Sequence, residues 1–498
     1  MNDAGRRQLA FIEDRPLYPV ILATAPVLLL YLDSDTSIAV VPRPLIVAAA
    51  VAIGLTLIST LVLRSRHRGA VAAAALVLLL QVRGIGEAAV LTLLGASIGA
   101  VIWLVAHWRG IGIRGTSVTS VGNTVGVLLL VITGAMAVGE GVIERTMAEI
   151  GQESAVESRD EARDGPSIHV LLLDAYPRAD VLESLFAFDN QPFLSSLEEQ
   201  GFHVAARSRS NYPTTEYTLA SVLHMSHMDE LPFGHGSTRR LIQSGRALDL
   251  ARQHGYTIRA NRPPWDNVAI RSADVLCESG FPTDVEDHLL AGTVLGHLAR
   301  FVIPEVDTTV RHAGYTEHGF ECLAQAAHRT EPTLSLTHLP VPHLPLAFDK
   351  GGASPGKSLR GDSVSQLNVR FETFADAYRD QLEYLNGRIL STIDEILTTA
   401  AGREAVIIVM SDHGPEPGLR ELQGGRPIHL ERYATLFASR TPLVPNPFDD
   451  AATTVNVFPV LFNSYLDTDL TIKPATLFKP REGFGTVEFV EAPNPDAP

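Results

Sequence analysis

The chain has 498 residues, 46% of them hydrophobic, and a formal net charge of −16 at pH 7. It is too long for one small domain, and its acidic balance argues against a nucleic-acid-binding protein, because phosphate backbones need a basic surface. Residues 1–140 carry long apolar stretches without charge, whereas charged residues, His and Pro reach ordinary globular density from residue 140 onward.

Residues 1–140 are predicted to form a transmembrane domain of about five helices. A helix needs about 20 mostly apolar residues to cross a bilayer. The third apolar stretch is short and is followed by Arg83 and Glu87, so four spans are the alternative. The candidate spans are 17–32, 44–63, 70–82, 88–107 and 118–138.

The loop charges predict the orientation of these spans. Loops rich in Lys and Arg stay in the cytoplasm. Five spans with a cytoplasmic N-terminus put every basic loop inside and everything after residue 140 on the outer face. The protein is therefore expected to be a multi-pass plasma (inner) membrane protein with its large C-terminal half outside. The basic loop residues are Arg6, Arg7, Arg64, Arg66, Arg68, Arg109 and Arg114.

The chain has two cysteines, Cys277 and Cys322, and both lie in the exported half. An oxidising compartment permits a disulfide between them. Two free thiols are the alternative, since the sequence contains no geometry that would decide between the two.

The exported half is predicted to begin with a juxtamembrane helix and linker, residues 141–166, which end at Gly165 and Pro166. In residues 167–480, continuous apolar runs such as SIHVLLLDAY and AVIIVM are typical of buried parallel strands, and they alternate with helical patterns, the longest over 363–400. This alternation predicts an α/β domain with a largely parallel sheet between helices. Residues 481–498 are predicted to be a flexible tail.

Four stretches of this half contain side chains that could perform chemistry at the carboxyl ends of strands, where sites form in such sheets. Each stretch alone is better explained as a turn or a helix cap. Together their oxygen and nitrogen donors suit Zn²⁺, Mn²⁺ or Mg²⁺, and a metal beside a threonine hydroxyl favours its nucleophilic form. The stretches are LLLDAY with Asp174, NYPTTEYTLASVL with Thr214 and Thr215, THLPVPHLPLAFDK with His338 and His343, and SDHG with Asp412 and His413. His338 and His343 are predicted to lie in a Pro-rich loop that follows a strand.

The order of these stretches resembles the alkaline phosphatase and sulfatase superfamily. In that superfamily a metal-binding Asp follows the first strand, a nucleophile opens a helix about forty residues on, and an SDHG motif comes late. Thr215 lies ten residues before Met225. In the superfamily the nucleophile precedes the end of its helix signature by the same distance, which favours Thr215 over Thr214. Further stretches resemble bacterial membrane-anchored sulfatase-like proteins: LYPVILATAPVLLLYL, LDAYPRADVLESLFAFDNQPFLSSLEEQGF, SRSNYPTTEYTLASVL and HLPVPHLPLAFD.

The departures from this pattern narrow the activity that the resemblance implies. Formylglycine sulfatases need Cys or Ser followed by Pro two residues later and Arg four residues later, whereas this chain has Thr215, Tyr217 and Leu219. Asp174 is followed by Ala175 instead of a second acid, which looks closer to the phosphoethanolamine and phosphoglycerol transferases of cell envelopes. The resemblance to those enzymes implies an alkaline-phosphatase-like domain with one catalytic metal.

The implied metal ligands are Asp174, Thr215, Asp412 and His413, with Thr215 as nucleophile. His338 and His343 are expected to bind the substrate anion, to protonate a leaving group or to hold a second ion. Substrate-binding candidates are Thr214, His429 and Arg178, with a surface or packing role as the alternative for the last two.

The predicted function is a metal-dependent transferase or hydrolase of envelope phosphoesters. A sulfuric ester hydrolase, a phosphatase or phosphodiesterase with the same site, and a non-catalytic exported binding domain are the alternatives. The expected cofactor is one divalent ion, Zn²⁺, Mn²⁺ or Mg²⁺, with Ca²⁺ as a further candidate. The expected partners are a phosphorylated or sulfated envelope lipid or glycan and membrane lipid, and no nucleic acid.

Overall fold

The computed structural model describes residues 15–33, 38–81, 119–128, 130–132, 134–135, 165–231, 238–280, 282–290, 293–299, 303, 307–355, 369–415, 431–482 and 487–492. The chain divides into two units. The first comprises Met1–Thr146 and Pro282–Val306, and the second comprises Met147–Phe281 and Asp307–Pro498. The first unit thus includes a short segment from the second half of the chain, Pro282–Val306.

The described residues form helices and strands that alternate along the second unit. The helices are α1 (Tyr18–Asp33), α2 (Pro42–Leu63), α3 (Arg66–Leu80), α4 (Ala179–Phe186), α5 (Gln191–Glu199), α6 (Thr215–His224), α7 (Thr238–Gln243), α8 (Arg246–Gln253), α9 (Asp284–Leu290), α10 (Val294–Ala299), α11 (Thr308–Ala327), α12 (Phe371–Leu397), α13 (Ala400–Glu404) and α14 (Val457–Tyr465). The strands are β1 (Ile168–Asp174), β2 (His203–Val204), β3 (Thr257–Asn261), β4 (Val275–Cys277), β5 (Thr333–Pro342), β6 (Val406–Ser411), β7 (Phe437–Arg440), β8 (Phe478–Glu482) and β9 (Val487–Glu491).

The first unit contains the N-terminal apolar helices. Among the described residues, one helix, Ile38–Leu63, is long and apolar enough to cross a membrane, and Tyr18–Leu32 and Thr119–Ile132 are shorter apolar helices. The predicted fourth span, 88–107, lies outside the described residues. Large apolar side chains of α2 are exposed, among them Leu61, which is 77% accessible. A row of such side chains is stable against lipid and unfavourable in water.

The segment that returns to the first unit forms α9 and α10. Leu289 of α9 packs on an apolar cluster that contains Val27 and Tyr31 of α1. Glu286 forms an ion pair with Arg43 at the start of α2. These contacts explain why this part of the second half folds with the N-terminal helices.

The second unit is built on a seven-stranded sheet in the order β2-β7-β6-β1-β5-β3-β4. β1 lies at its centre and runs parallel to both neighbours, β5 and β6, whereas β7 is antiparallel to β6 and to β2. All residues of β1, β5 and β6 are buried. One face is covered by α4, α5, α11 and α12, and the other by α6, α8 and α14. The predicted α/β domain with a largely parallel sheet is confirmed.

The C-terminal region differs from the predicted flexible tail. β9 pairs antiparallel with β8 from Phe478↔Glu491 to Glu482↔Val487. Phe489 packs edge-on against Tyr212 and Tyr217, at ring-centroid distances of 5.6 and 5.0 Å. The alternating apolar residues of GTVEFVE give the segment a face that can pack, so part of the assigned tail belongs to the folded unit.

The structure joins Cys277 of β4 to Cys322 of α11 by a disulfide with a sequence separation of 45. The disulfide fixes an edge strand of only three residues to a long helix. Of the two alternatives that the sequence left open, the structure has the bridged form.

Replacing both cysteines by Ser is expected to destabilise the second unit by about 4 kcal/mol, because a closed loop of this length restricts the unfolded chain by about that amount. The measurement is the melting temperature of the full chain in detergent. Wild-type protein melted with a phosphine reductant provides the control and should match the variant. An unchanged melting temperature in both cases would show that β4 is held without the disulfide.

Candidate active site

The sheet register brings the ends of β1, β5 and β6 together. Leu172 of β1 lies opposite His338 of β5, and Leu173 lies opposite Ser411 of β6. Parallel strands that end at one edge deliver the residues that follow them to the same place. Asp174 and Asp412 are therefore neighbours, with 2% and 0% of their surface exposed.

The predicted ligand atoms lie around one small space, the candidate metal centre, and His413 Nε2 is one of them. This nitrogen is 3.3 Å from Thr215 Oγ1, 3.4 Å from Asp174 Oδ1 and 3.5 Å from Asp412 Oδ2. These distances are long for hydrogen bonds. They match the edges of a tetrahedron around one ion, because metal–ligand bonds of about 2.0–2.2 Å place the ligands about 3.3–3.6 Å apart.

Several buried polar atoms at this centre have no hydrogen-bond partner among the residues that the structure describes. They are Asp174 Oδ1, Asp412 Oδ2 and both ring nitrogens of His338. Ligand atoms of Asp174, His338 and Asp412 lie within 4.8 Å of one another. Two buried carboxylates side by side are costly unless a positive charge neutralises them. The atoms and their spacing therefore fit a divalent cation with oxygen and nitrogen ligands.

Neighbouring groups orient the side chains of Asp412 and His413 in the SDHG motif. Asp412 Oδ1 accepts hydrogen bonds from the amides of Ala175 (3.0 Å) and His413 (2.7 Å), which leaves Oδ2 facing the centre. Ala175 has a φ of 64°, in the left-handed region, and this turn directs its amide toward Asp412. His413 Nδ1 donates to the Gly414 carbonyl at 2.8 Å, so Nε2 carries the lone pair.

Burial and charge set the protonation of two of these groups. Burial lowers the pKa of His413, Arg432 lowers it further, and the opposing effects of Asp412 and Asp174 are smaller, so the ring is neutral. Burial raises the pKa of Asp174, but His343, His338 and His413 together outweigh burial and hold that pKa below its ordinary value. An ionised carboxylate beside a neutral imidazole is the state in which both can bind a cation.

The start of α6 distinguishes the two threonines. Thr214 is the N-cap residue with extended backbone, and its buried Oγ1 has no hydrogen-bond partner. Thr215 is the first residue of the helix, and its hydroxyl contacts His413. Thr218, one turn later, donates to the Asp412 carbonyl at 3.0 Å and fixes the helix against the SDHG turn. Of the two adjacent threonines, Thr215 is therefore the one whose hydroxyl contacts the ligand cluster.

The two histidines of the HLPVPH stretch occupy different positions from those predicted. Both were expected in a loop after a strand, but His338 lies within β5, and only His343 follows it. His338 Nε2 is 3.7 Å from Asp174 Oδ2. His343 Nδ1 bonds the Leu344 carbonyl at 2.7 Å, and its ring is 6.4 Å from that of His413. Both rings border the same centre.

The remaining sequence candidates have other surroundings. Arg178 Nε and Nη2 donate to Asp180, and Nη1 donates to the Ser208 carbonyl. These bonds give the guanidinium a structural role at the start of α4. Thr214 lies at the site but outside the ligand cluster. His429 lies outside the described residues.

The structure adds residues that sequence reasoning missed. Trp265 lies beside three histidine rings, those of His312 (5.5 Å), His343 (5.5 Å) and His338 (6.3 Å), and forms a wall of the site. Glu216 follows Thr215, and burial raises its pKa. An acid directly after a predicted nucleophile was a signal that could have been read, whereas no local pattern marks Trp265.

Comparison with protein-family models and with curated proteins finds no match. Comparison with solved structures finds similarity to the C-terminal periplasmic domain of EcEptC from Escherichia coli, with 16% identity, a TM-score of 0.42 and coverage of 64% of this chain and 91% of that chain. The soluble domain of lipooligosaccharide phosphoethanolamine transferase A from Neisseria meningitidis is similar with 11% identity, a TM-score of 0.36 and coverage of 61% and 89%. A protein in the alkaline phosphatase superfamily from Vibrio parahaemolyticus has 11% identity, a TM-score of 0.38 and coverage of 70% and 83%.

Proposed function

We propose that this chain is a membrane-anchored, metal-dependent transferase or hydrolase of envelope phosphoesters in the alkaline phosphatase and sulfatase superfamily, with Thr215 as its nucleophile. One observation carries the proposal. The Thr215 hydroxyl and oxygens of Asp174 and Asp412 all lie within 3.5 Å of a single atom, His413 Nε2, although Asp174, Thr215 and the adjacent pair Asp412 and His413 come from three distant parts of the sequence.

Asp174, Thr215, Asp412 and His413 would hold one divalent ion, with Zn²⁺, Mn²⁺ and Mg²⁺ as the main candidates and Ca²⁺ as a further one. When bound, the ion supplies the positive charge that favours a threonine alkoxide near neutral pH and offsets the charge of an anionic substrate. His338 Nε2, 3.7 Å from Asp174 Oδ2, lies beside this ligand set.

In the first step Thr215 Oγ1, whose proton has already passed to solvent, attacks the phosphorus atom of the substrate as an alkoxide, the form in which it is released at the end of the second step. A new bond forms between this oxygen and phosphorus, and the bond to the leaving oxygen breaks on the opposite side, which gives a phosphothreonine. The N-terminus of α6, where Thr215 is the first residue, would stabilise the charge that develops on the substrate oxygens through its backbone amides. His338 or His343 gives a proton to the departing oxygen.

In the second step water or an acceptor hydroxyl attacks the phosphothreonine from the side that the leaving group vacated. The histidine that gave its proton now takes one from the incoming hydroxyl. Thr215 is released, and the phospho-group ends on the acceptor. The same protein atoms serve both acceptors, so access to the site, and not the nucleophile, separates a transferase from a hydrolase.

A sulfate ester hydrolase is the second candidate, because a sulfate ester is also tetrahedral and anionic. The chain has Thr215 where formylglycine sulfatases need Cys or Ser, and Tyr217 and Leu219 where they need Pro and Arg. Phosphoesters are therefore the favoured substrates. A domain that only binds envelope glycans would need neither the ligand geometry nor the threonine hydroxyl placed within it.

The setting is proposed to be the bacterial plasma (inner) membrane, crossed several times, with the second unit on the outer face. The exposed apolar side chains of α2 and the basic residues Arg64, Arg66 and Arg68 after it support this assignment. Phosphorylated or sulfated envelope lipids or glycans are then the expected partners, within reach of an enzyme anchored in the same membrane.

Product analysis tests the proposal. The purified full chain with Zn²⁺ or Mn²⁺ in detergent is expected to cleave bis-(para-nitrophenyl) phosphate, and to move the phospho-group to added envelope lipid if it is a transferase. Mass spectrometry of the lipids separates transfer from hydrolysis, which releases the aryl phosphate to water. Cleavage of para-nitrophenyl sulfate but not of the phosphodiester would favour the sulfatase, and no cleavage of either would leave a binding domain.

A further inference from the structure

Arg432 joins the two turns that carry the reacting groups. Its Nε donates to the Pro213 carbonyl at 2.6 Å, directly before the two threonines. Its Nη1 donates to the carbonyls of Gly414 (3.3 Å), the last residue of the SDHG motif, and Pro415 (3.1 Å), the residue after it. The residue is 9% exposed, so these bonds form largely away from water. One guanidinium therefore spans two segments about two hundred residues apart in sequence.

The backbone around Arg432 fits against the same turn. The Gly414 amide donates to the Arg432 carbonyl at 2.5 Å. A Cβ atom at Gly414 would overlap the carbonyl oxygen of Glu431, so only glycine allows this approach. Gly414 also accepts the hydrogen bond from His413 Nδ1. The orientation of the His413 ring is therefore tied to the position of Arg432.

We propose that Arg432 is a positioning residue that sets the distance between Thr215 and His413. This inference rests on the function proposed above. A planar guanidinium offers several donors at fixed angles, so it can hold the carbonyls of two turns at one separation, which the flexible ammonium of Lys cannot do. Reacting groups displaced by about 1 Å lose about 100-fold in rate. The Nε and Nη1 donors are occupied by carbonyls, which assigns Arg432 to the scaffold of the site.

The second unit provides a matched control in Arg440. Its Nε donates to the Gln200 carbonyl, and its Nη1 donates to the carbonyls of Arg403 and Ala405, at 2.9–3.3 Å. It thus makes the same three kinds of bond as Arg432. The Gln200 carbonyl follows α5, and those of Arg403 and Ala405 lie at the end of α13, just before the amino end of β6, whereas the SDHG motif begins at the last residue of β6. Loss of Arg440 should cost stability without moving the ligands.

The experiment compares Arg432→Gln, Arg432→Lys and Arg440→Gln in the full chain in detergent. For Arg432→Gln we expect kcat on bis-(para-nitrophenyl) phosphate to fall about 100-fold, with KM within about threefold of wild type. Zn²⁺ affinity, from competition with a chromogenic chelator, should fall about tenfold, as is usual when the support of a ligand is lost. Arg432→Lys should fall between wild type and Arg432→Gln, and Arg440→Gln should match wild type in kcat and Zn²⁺ affinity.

The outcomes separate this proposal from the proposed function. If wild type binds Zn²⁺ but has no turnover, the proposed function fails. The Zn²⁺ affinities of the Arg432 variants, compared with that of wild type, then still test whether Arg432 positions the ligands. If Arg432→Gln and Arg432→Lys keep wild-type kcat and Zn²⁺ affinity, Arg432 is not a positioning residue. A raised KM at unchanged kcat would also overturn the proposal, since it would make Arg432 a substrate-anion ligand. Should Arg432→Gln fail to fold, Arg432→Lys gives the same comparisons.

Discussion

Thr215→Ala is expected to reduce turnover of bis-(para-nitrophenyl) phosphate by at least about 10⁴-fold, because removal of a nucleophile leaves only binding and charge stabilisation. The Thr215 hydroxyl lies 3.3 Å from His413 Nε2, and the substitution removes this oxygen without touching the acids. Metal binding should weaken and stay detectable, since Asp174, Asp412 and His413 remain. The measurements are steady-state kcat and Zn²⁺ affinity on the same preparation.

Thr214→Ala is the matched control for this prediction. It removes the same atoms one residue earlier, from a side chain that makes no cap hydrogen bond to α6. We expect kcat to change less than about tenfold, since the Thr214 hydroxyl is not part of the ligand cluster. Wild-type turnover in Thr215→Ala, or a larger loss in Thr214→Ala than in Thr215→Ala, would remove Thr215 from the mechanism.

The sequence predicted the central strands from strong local signals, whereas the four candidate ligands were predicted only from the combination of their stretches and from the resemblance. The continuous apolar runs of β1 and β6 are typical of buried strands, and Asp174 ends β1 whereas Asp412 directly follows β6. The resemblance then singled out Thr215 from two adjacent threonines. In the structure strand register brings Asp174, Asp412 and His413 together, as the carboxyl-end rule for parallel sheets implies, and the start of α6 adds the Thr215 hydroxyl.

The error at His338 has a physical reason. Proline normally ends a strand because it removes a ladder hydrogen bond, so a Pro-rich stretch predicts a loop. In β5 the register shifts between Leu173↔Leu339 and Asp174↔Pro342, so Pro340 falls in an irregularity where no ladder bond is required. The strand therefore continues past His338, and this places the imidazole beside Asp174.

The features that the sequence did not reveal depend on contacts between distant segments. α11 combines small and polar residues and lacks a strong apolar period, and β4 and β7 contain only three and four residues. Arg432 looks like any charged residue before a strand, and its three carbonyl partners are known only once two turns are in place. Trp265 likewise acquires its histidine neighbours only through the fold.

Asp412→Asn and Asp174→Asn are expected to abolish the response of the protein to Zn²⁺. Wild-type protein stripped with EDTA should lose turnover, recover it with Zn²⁺ or Mn²⁺, and melt at a higher temperature when the ion is present, because a ligand that binds only the folded state stabilises it. Asn at position 412 can still accept both amide hydrogen bonds through Oδ1, so the fold is retained. The Asp412→Asn substitution puts an amide group in place of the carboxylate oxygen that faces His413, and an amide cannot serve as an anionic ligand.

The melting temperatures of the metal-free proteins should not fall in the Asn variants, and this separates a loss of metal binding from a loss of folding. Neutralising one of two adjacent buried carboxylates removes like-charge repulsion and a desolvation cost, so the metal-free Asn variants should melt no lower than metal-free wild type. Asp307→Asn is the control, because Asp307 is also buried but caps α11 through the Thr309 amide, a role that Asn performs as well. It should keep the wild-type response to Zn²⁺. A thermal response of Asp412→Asn and Asp174→Asn equal to that of wild type would place the cation elsewhere and leave the two buried acids without the counter-charge on which the proposed reaction depends.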